Sequence, residues 1–207
     1  MLYTISRFIG YYIYMPLLVK EIKGMENMPK EGCIIASNHV SYLDPPILGF
    51  TISQKLNKKV HYLAKIELFR HFFSRVAHNK LFEAIPIDRE KGDKSWIKAA
   101  KKYIRKGHII GIFPEGGRSK YNQMEKGKTG VVRLALASKA PIVPIGITGT
   151  YSLWPKNKKF PKIKKIVRIS IGKPIYYGPY YRRKITKHLL RRLTDDLMSE
   201  IGKLTVK

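Results

Sequence analysis

The chain is expected to be an α/β protein: a single layered domain on a largely parallel, mixed sheet flanked by helices, with a membrane-associated helix at its N-terminus. Three observations predict this. Short apolar runs alternate with helical patterns along most of the sequence. The length of 207 residues and the 44% hydrophobic content suit one domain with a real core. No internal repeat and no low-complexity linker divides the chain.

From the N-terminus, residues 1–23 are read as a helix lying in the membrane interface and residues 24–207 as the folded domain. The uncharged stretch Phe8 to Val19 is too short for a bilayer span, which needs about 20 apolar residues. No small-x-small cleavage site follows it, so a removable signal peptide is not expected. Tyr3, Tyr11, Tyr12 and Tyr14 are interfacial residue types. A helix packed on its own domain is the alternative. Strands are then expected at 33–37, 60–64, 84–87, 109–113, 142–147 and 166–171, each an apolar or β-branched run. Helices are expected between them at 46–56, 67–77, 93–106 and 130–138. A last helix over about 181–204 follows from the helical spacing of Ile185, Leu189, Leu193, Leu197, Ile201 and Leu204. Its early polar face is strongly basic.

Lys and Arg number 41 against 14 Asp and Glu, a formal net charge of +27. Such a surface fits an anionic partner: nucleic acid, an anionic membrane, or a phosphorylated or acidic molecule. The basic stretch Trp154 to Arg168, with Trp154 and Phe160 among its lysines, suits an anionic bilayer, and equally a solvated hairpin. Cys33 is the only cysteine, which excludes an internal disulfide and most thiolate metal sites. Its strand position makes it a small core residue.

Two loops carry chemistry. Asn38-His39-Val40-Ser41-Tyr42-Leu43-Asp44 leaves an apolar run at a strand end, where α/β sheets place ligands. His39 can take a proton from a hydroxyl near neutral pH, and Asp44 can fix its tautomer. Ser41 lacks the Gly-x-Ser-x-Gly elbow of a nucleophile, so a substrate hydroxyl is the simplest attacking group. Asp44 ahead of Pro45-Pro46 also suits a helix N-cap, with His39 an ordinary loop residue. The second loop, Phe113-Pro114-Glu115-Gly116-Gly117-Arg118-Ser119, turns on two glycines and offers backbone N–H groups and Arg118 to a phosphate. Glu115 can accept from ligand hydroxyls or hold the arginine. Lys126 and Lys128 follow in a segment whose glycine spacing is not that of a Walker A loop. A polar surface loop with an ion pair is the plainer reading.

These motifs resemble those of the lysophosphatidate acyltransferase family. Asn38-His39 with Asp44 matches its first block and Ile85-Pro86-Ile87-Asp88-Arg89 its second. Phe113 to Gly116 with Arg118-Ser119 matches the third, and Ala140 to Ile145 the fourth. Ile171 to Ile175 resembles a strand and turn that often follow. The resemblance implies transfer of an acyl chain from acyl-CoA or acyl-carrier protein to lysophosphatidic acid, giving phosphatidic acid. It implies His39 as general base and Asp44 as its partner, with Arg89, Glu115, Gly116 and Arg118 on the acceptor; Lys128, in the basic segment that follows, is expected to join them. It implies no metal or other cofactor, no nucleic acid, and work at an anionic membrane surface on the cytoplasmic face of the cell membrane. Ala140 to Ile145 would line the acyl-donor side or support the core. Gly117 stands where the family usually has threonine, and Glu83 where it often has glycine. Glycerol phosphate or another lysolipid as acceptor, and a basic nucleic-acid-binding module, are the alternatives.

Overall fold

A computed structural model of the protein describes residues 8, 10–69, 84–88 and 95–206. Seven strands form one sheet: β1 Val19–Lys23, β2 Cys33–Ser37, β3 Val60–Lys65, β4 Ile85–Ile87, β5 Ile109–Ile112, β6 Ile142–Thr148 and β7 Val167–Ile171. Their order is β1-β7-β6-β2-β5-β3-β4. From β6 through β4 every pairing is parallel. β7 runs antiparallel to β6, and β1 parallel to β7. The four principal helices are α1 Asp44–Leu56, α2 Ser95–Arg105, α3 Gly130–Ser138 and α4 Lys187–Thr205.

The centre of the sheet is buried on both faces, which is why β2 and β5 read as unbroken apolar runs. Along β2 the side chains alternate between two cores. Ile34 and Ala36 pack with α2, α3 and α4. Cys33 and Ile35 pack with α1 and with Met15 and Leu18 of the N-terminal helical run. Burial pushes the Cys33 thiol up to about 12, so it behaves as a small apolar side chain.

This order sets up a crevice. The chain leaves β2 toward β3 on one side, whereas β5 leads through α3 to β6 on the other. The loops after β2 and β5 therefore part at neighbouring strand ends, the place where open α/β sheets hold ligands.

Two expected elements differ in extent, and a third lies largely outside the described residues. The helix expected over 1–23 ends at Leu18: Gly10–Tyr14 and Met15–Leu18 are helical, and Val19–Lys23 is an edge strand on β7. The three-residue spacing of Val19 and Ile22 looks helical in sequence, but the open edge of β7 supplies backbone partners that a helix end lacks. The helical run packs on α1, with Gly10 against the Phe50 ring and Thr51 donating to Met15 Sδ. The last helix begins at Lys187, not at 181, because Thr186 adopts an extended conformation and its side chain accepts from Leu189 N at 3.1 Å. In the stretch 67–77 only the single turn Ile66–Phe69 is described; the remainder of that expected helix and the start of the next, before Ser95, lie outside the described residues.

Helix α4 crosses β6 so closely that a Cβ at Gly146 would collide with the Leu204 carbonyl. Gly146→Ala should therefore lower the unfolding free energy by about 1–3 kcal/mol. Urea denaturation should show a lower midpoint at unchanged slope; an unaltered midpoint would contradict the contact.

Candidate active site

The loop after β2 is fixed before it reaches His39. The Asn38 side chain donates to Ile147 O and accepts from Ile147 N, both at 2.9 Å, which clamps the loop to β6. Asp44 then opens α1, with Leu43 as the N-cap and Pro45-Pro46 in the first turn, where no backbone N–H is needed. Asp44 is fully buried. Its Oδ2 accepts three N–H donors: Val40 N at 2.8 Å, Ser41 N at 2.7 Å and His39 Nδ1 at 2.8 Å. Two backbone amides already donate to this oxygen; as a carboxylate it can only accept, which puts the ring proton on Nδ1 and, in the neutral imidazole, the lone pair on Nε2. The His39 side chain is 14% exposed, and its ring stacks on Phe113 at 4.1 Å.

The loop after β5 takes both backbone groups of His39. His39 N donates to Glu115 Oε1 at 2.7 Å, and Ser119 N donates to His39 O at 2.8 Å. Glu115 Oε2 accepts from Glu125 N at 2.9 Å. Each Glu115 oxygen is thus engaged by a backbone amide. Burial raises its carboxyl from 4.5 to about 7, against the two hydrogen bonds, which lower it.

Gly116 turns the chain at φ +76°, and the Lys128 side chain packs against its open face. Lys128 itself is exposed. The Arg118 guanidinium lies 3.4 Å over the Tyr42 ring, and its buried Nη1 has no hydrogen-bond partner among the described residues. Gly117 is exposed, and a Cβ there would meet nothing within 4 Å. A third loop, after β6, closes on the first: Ser41 Oγ donates to Trp154 O at 2.7 Å, and the Tyr42 and Trp154 rings lie 5.0 Å apart.

The structure brings His39, Asp44, Glu115, Gly116, Arg118 and Lys128 into one pair of joined loops. Arg89 lies outside the described residues. Ala140 to Ile145 is buried and includes the first strand residues of β6, so its side chains support the core. Tyr42 and the backbone of Ser119 belong to the site as well. The sequence signalled them only as neighbours of His39 and Arg118. Among the described residues no three His, Cys, Asp or Glu side chains gather as metal ligands.

A His–Asp pair at parallel strand ends is joined to a glycine–arginine loop, an arrangement that can take a proton beside a cationic side chain. The acyltransferase family profile matches residues 20–148, and the chain belongs to that family. Its relatives include the 1-acyl-sn-glycerol-3-phosphate acyltransferase of Bacillus subtilis, 32% identical over 188 residues, covering 90% of this chain and 88% of that protein. The enzyme of the same name from Pseudomonas aeruginosa is 33% identical over 156 residues, covering 71% of this chain and 56% of that protein. The crystal structure of the 1-acyl-sn-glycerophosphate acyltransferase PlsC from Thermotoga maritima shares the fold. Its TM-score is 0.73 at 22% identity, with 99% of this chain and 80% of that chain covered.

The raised Glu115 carboxyl carries a sign. The folded state holds this proton more tightly than the unfolded chain does. Its stabilising contribution is complete below about pH 4.5 and is lost as pH rises through about 7. Glu115→Gln cannot titrate. The stability difference between variant and wild type should therefore move in the variant's favour across that window, read from urea midpoints. A pH-independent difference would show that the carboxyl is not shifted.

Proposed function

We propose that this chain transfers a fatty acyl group from a thioester to the free hydroxyl of 1-acylglycerol 3-phosphate, giving phosphatidic acid. The observation that carries the reading is the 2.8 Å contact of His39 Nδ1 with buried Asp44 Oδ2, which assigns Nε2 to the base role. The acceptor of the named relatives is a hydroxyl next to a phosphate. That substrate needs what this pair of loops offers, a base beside a cationic wall.

In the proposed step the acceptor hydroxyl gives its proton to His39 Nε2 as its oxygen attacks the thioester carbonyl. The C–S bond then breaks, and the leaving thiolate takes the proton back from the imidazolium. Asp44 holds the ring and stabilises its charged form between the two transfers. A thioester is already activated, so no covalent acyl-enzyme is required. Base assistance of this type contributes about 10²- to 10⁴-fold in rate.

Arg118 is assigned to the acceptor phosphate. A buried guanidinium N–H without an acceptor is costly, and a phosphate oxygen would supply one. Lys128, Gly116 and Arg89 are assigned to the same side of the substrate. Glu115 is given a holding role instead of a substrate contact, because its two oxygens already bind backbone amides of both loops. Acyl-CoA and acyl-carrier protein are the donors proposed, both anionic and suited to a chain of net charge +27.

The place of work proposed is the cytoplasmic surface of an anionic membrane, with the N-terminal segment lying in the interface. Phe8, Tyr12, Ile13 and Leu17 are exposed large apolar side chains there. Among the described residues no helix is long and apolar enough to cross a membrane.

The test is acyl transfer from labelled thioesters to lysophosphatidic acid in anionic liposomes. Wild type should form phosphatidic acid. His39→Ala should reduce the rate by at least about 10²-fold, and Asp44→Asn should lower kcat more than it changes KM. Equal rates in wild type and His39→Ala would refute the base assignment.

A further inference from the structure

Between the β6 loop and β7 the chain makes an excursion over residues 156–165, and every residue in it is exposed. It holds Lys156, Lys158, Lys159, Lys162, Lys164 and Lys165. No Asp or Glu stands between Glu125 and Asp195, so no acid within this part of the sequence offsets the lysines. Two large apolar side chains sit among them with little cover: Phe160 is 72% exposed and Ile163 is 73% exposed. Water gains nothing from these two side chains, and they fill no part of either core.

The excursion is fastened at both ends. Lys162 N donates to Leu153 O at 2.8 Å, and Trp154 Nε1 donates to Lys158 O at 3.0 Å. Trp154 is the residue whose carbonyl receives the Ser41 hydroxyl of the His39 loop. At the far end Ile166 N donates to Leu18 O at 3.1 Å. That bond joins the excursion to the helical run that exposes Tyr12, Ile13 and Leu17.

We infer that residues 156–165 are a docking loop for anionic bilayers, in which Phe160 and Ile163 enter the acyl boundary while the lysines sit on headgroup phosphates. The pattern fits a bilayer better than an acidic carrier protein. Its apolar groups lie among exposed lysines, and its far end is bonded to the run that carries a second set of exposed apolar side chains; a bilayer offers both a charged plane and an apolar depth. The Trp154–Ser41 bond then ties the seated loop to the His39 loop and sets the site at the membrane surface. The inference rests on the proposed function only for the lipid nature of the acceptor.

The experiment uses the full chain and vesicles of phosphatidylcholine with and without phosphatidylglycerol. Lys158→Gln with Lys159→Gln should weaken binding to the anionic vesicles about 25-fold, since each near-surface cation contributes roughly fivefold. Phe160→Ser with Ile163→Ser should weaken it further at high salt, where charge is screened. An environment-sensitive dye on Phe160→Cys should shift to the blue on anionic vesicles; Cys33, the only other thiol, is buried. Both double variants should keep wild-type turnover with a monomeric short-chain lysophosphatidate. Vesicle binding unchanged in both variants, or a dye that reports only water, would overturn the docking loop. So would variants that lose carrier-protein binding and retain vesicle binding. Absence of wild-type turnover with any lysophosphatidate would instead refute the proposed reaction and leave the vesicle result to stand on its own.

Discussion

One buried carboxylate oxygen holds the site together. Asp44 Oδ2 accepts Val40 N and Ser41 N and pairs with His39 Nδ1 within the six residues 39–44, and the turn has this shape because those three groups converge. Leaving a buried donor unsatisfied costs about 1–3 kcal/mol, so the carboxylate fixes the turn and the imidazole together. The backbone amides orient the acceptor, and the acceptor in turn orients the ring. His39 is therefore held before any ligand arrives, which is the preorganisation a proton transfer needs.

The second constraint is that the two motif loops are not independent. His39 gives its N–H to Glu115 and receives Ser119 N–H at its carbonyl, so both backbone groups of the histidine are bonded to the other loop. Glu115 extends the connection to Glu125. The Phe113 ring under the imidazole and the Tyr42 ring under Arg118 add a face from each loop to the other. A change in either loop therefore reaches both His39 and Arg118. The sheet makes this economical, because β2 and β5 are neighbours and their loops emerge side by side.

Much of this was legible in the sequence. The central strands were, because burial on both faces leaves an apolar run with sharp ends, as at Cys33–Ser37 and Ile109–Ile112. The His39–Asp44 pairing was, because five residues around a turn bring the two side chains together. The edge strand Val19–Lys23 was not: its partner β7 lies far along the chain, and a short mixed segment has no period of its own to announce a strand. Helix α4 was placed, but its start was not, since the hydrophobic spacing continues past the Thr186 cap to exposed Ile185. The link between His39 and Glu115 runs from a backbone N–H to a side-chain carboxyl across 76 residues, and no local spacing in the sequence encodes it. In sequence Glu115 reads as a ligand contact or a partner for the arginine; the structure adds that its two oxygens accept backbone amides of both loops.

Nitrogen-15 NMR of the neutral imidazole tests whether Asp44 holds His39 with Nδ1 protonated and Nε2 free. A protonated Nδ1 and an unprotonated Nε2 are expected in the wild type, with a mixture of tautomers in Asp44→Asn. A wild-type His39 protonated on Nε2 would contradict this assignment.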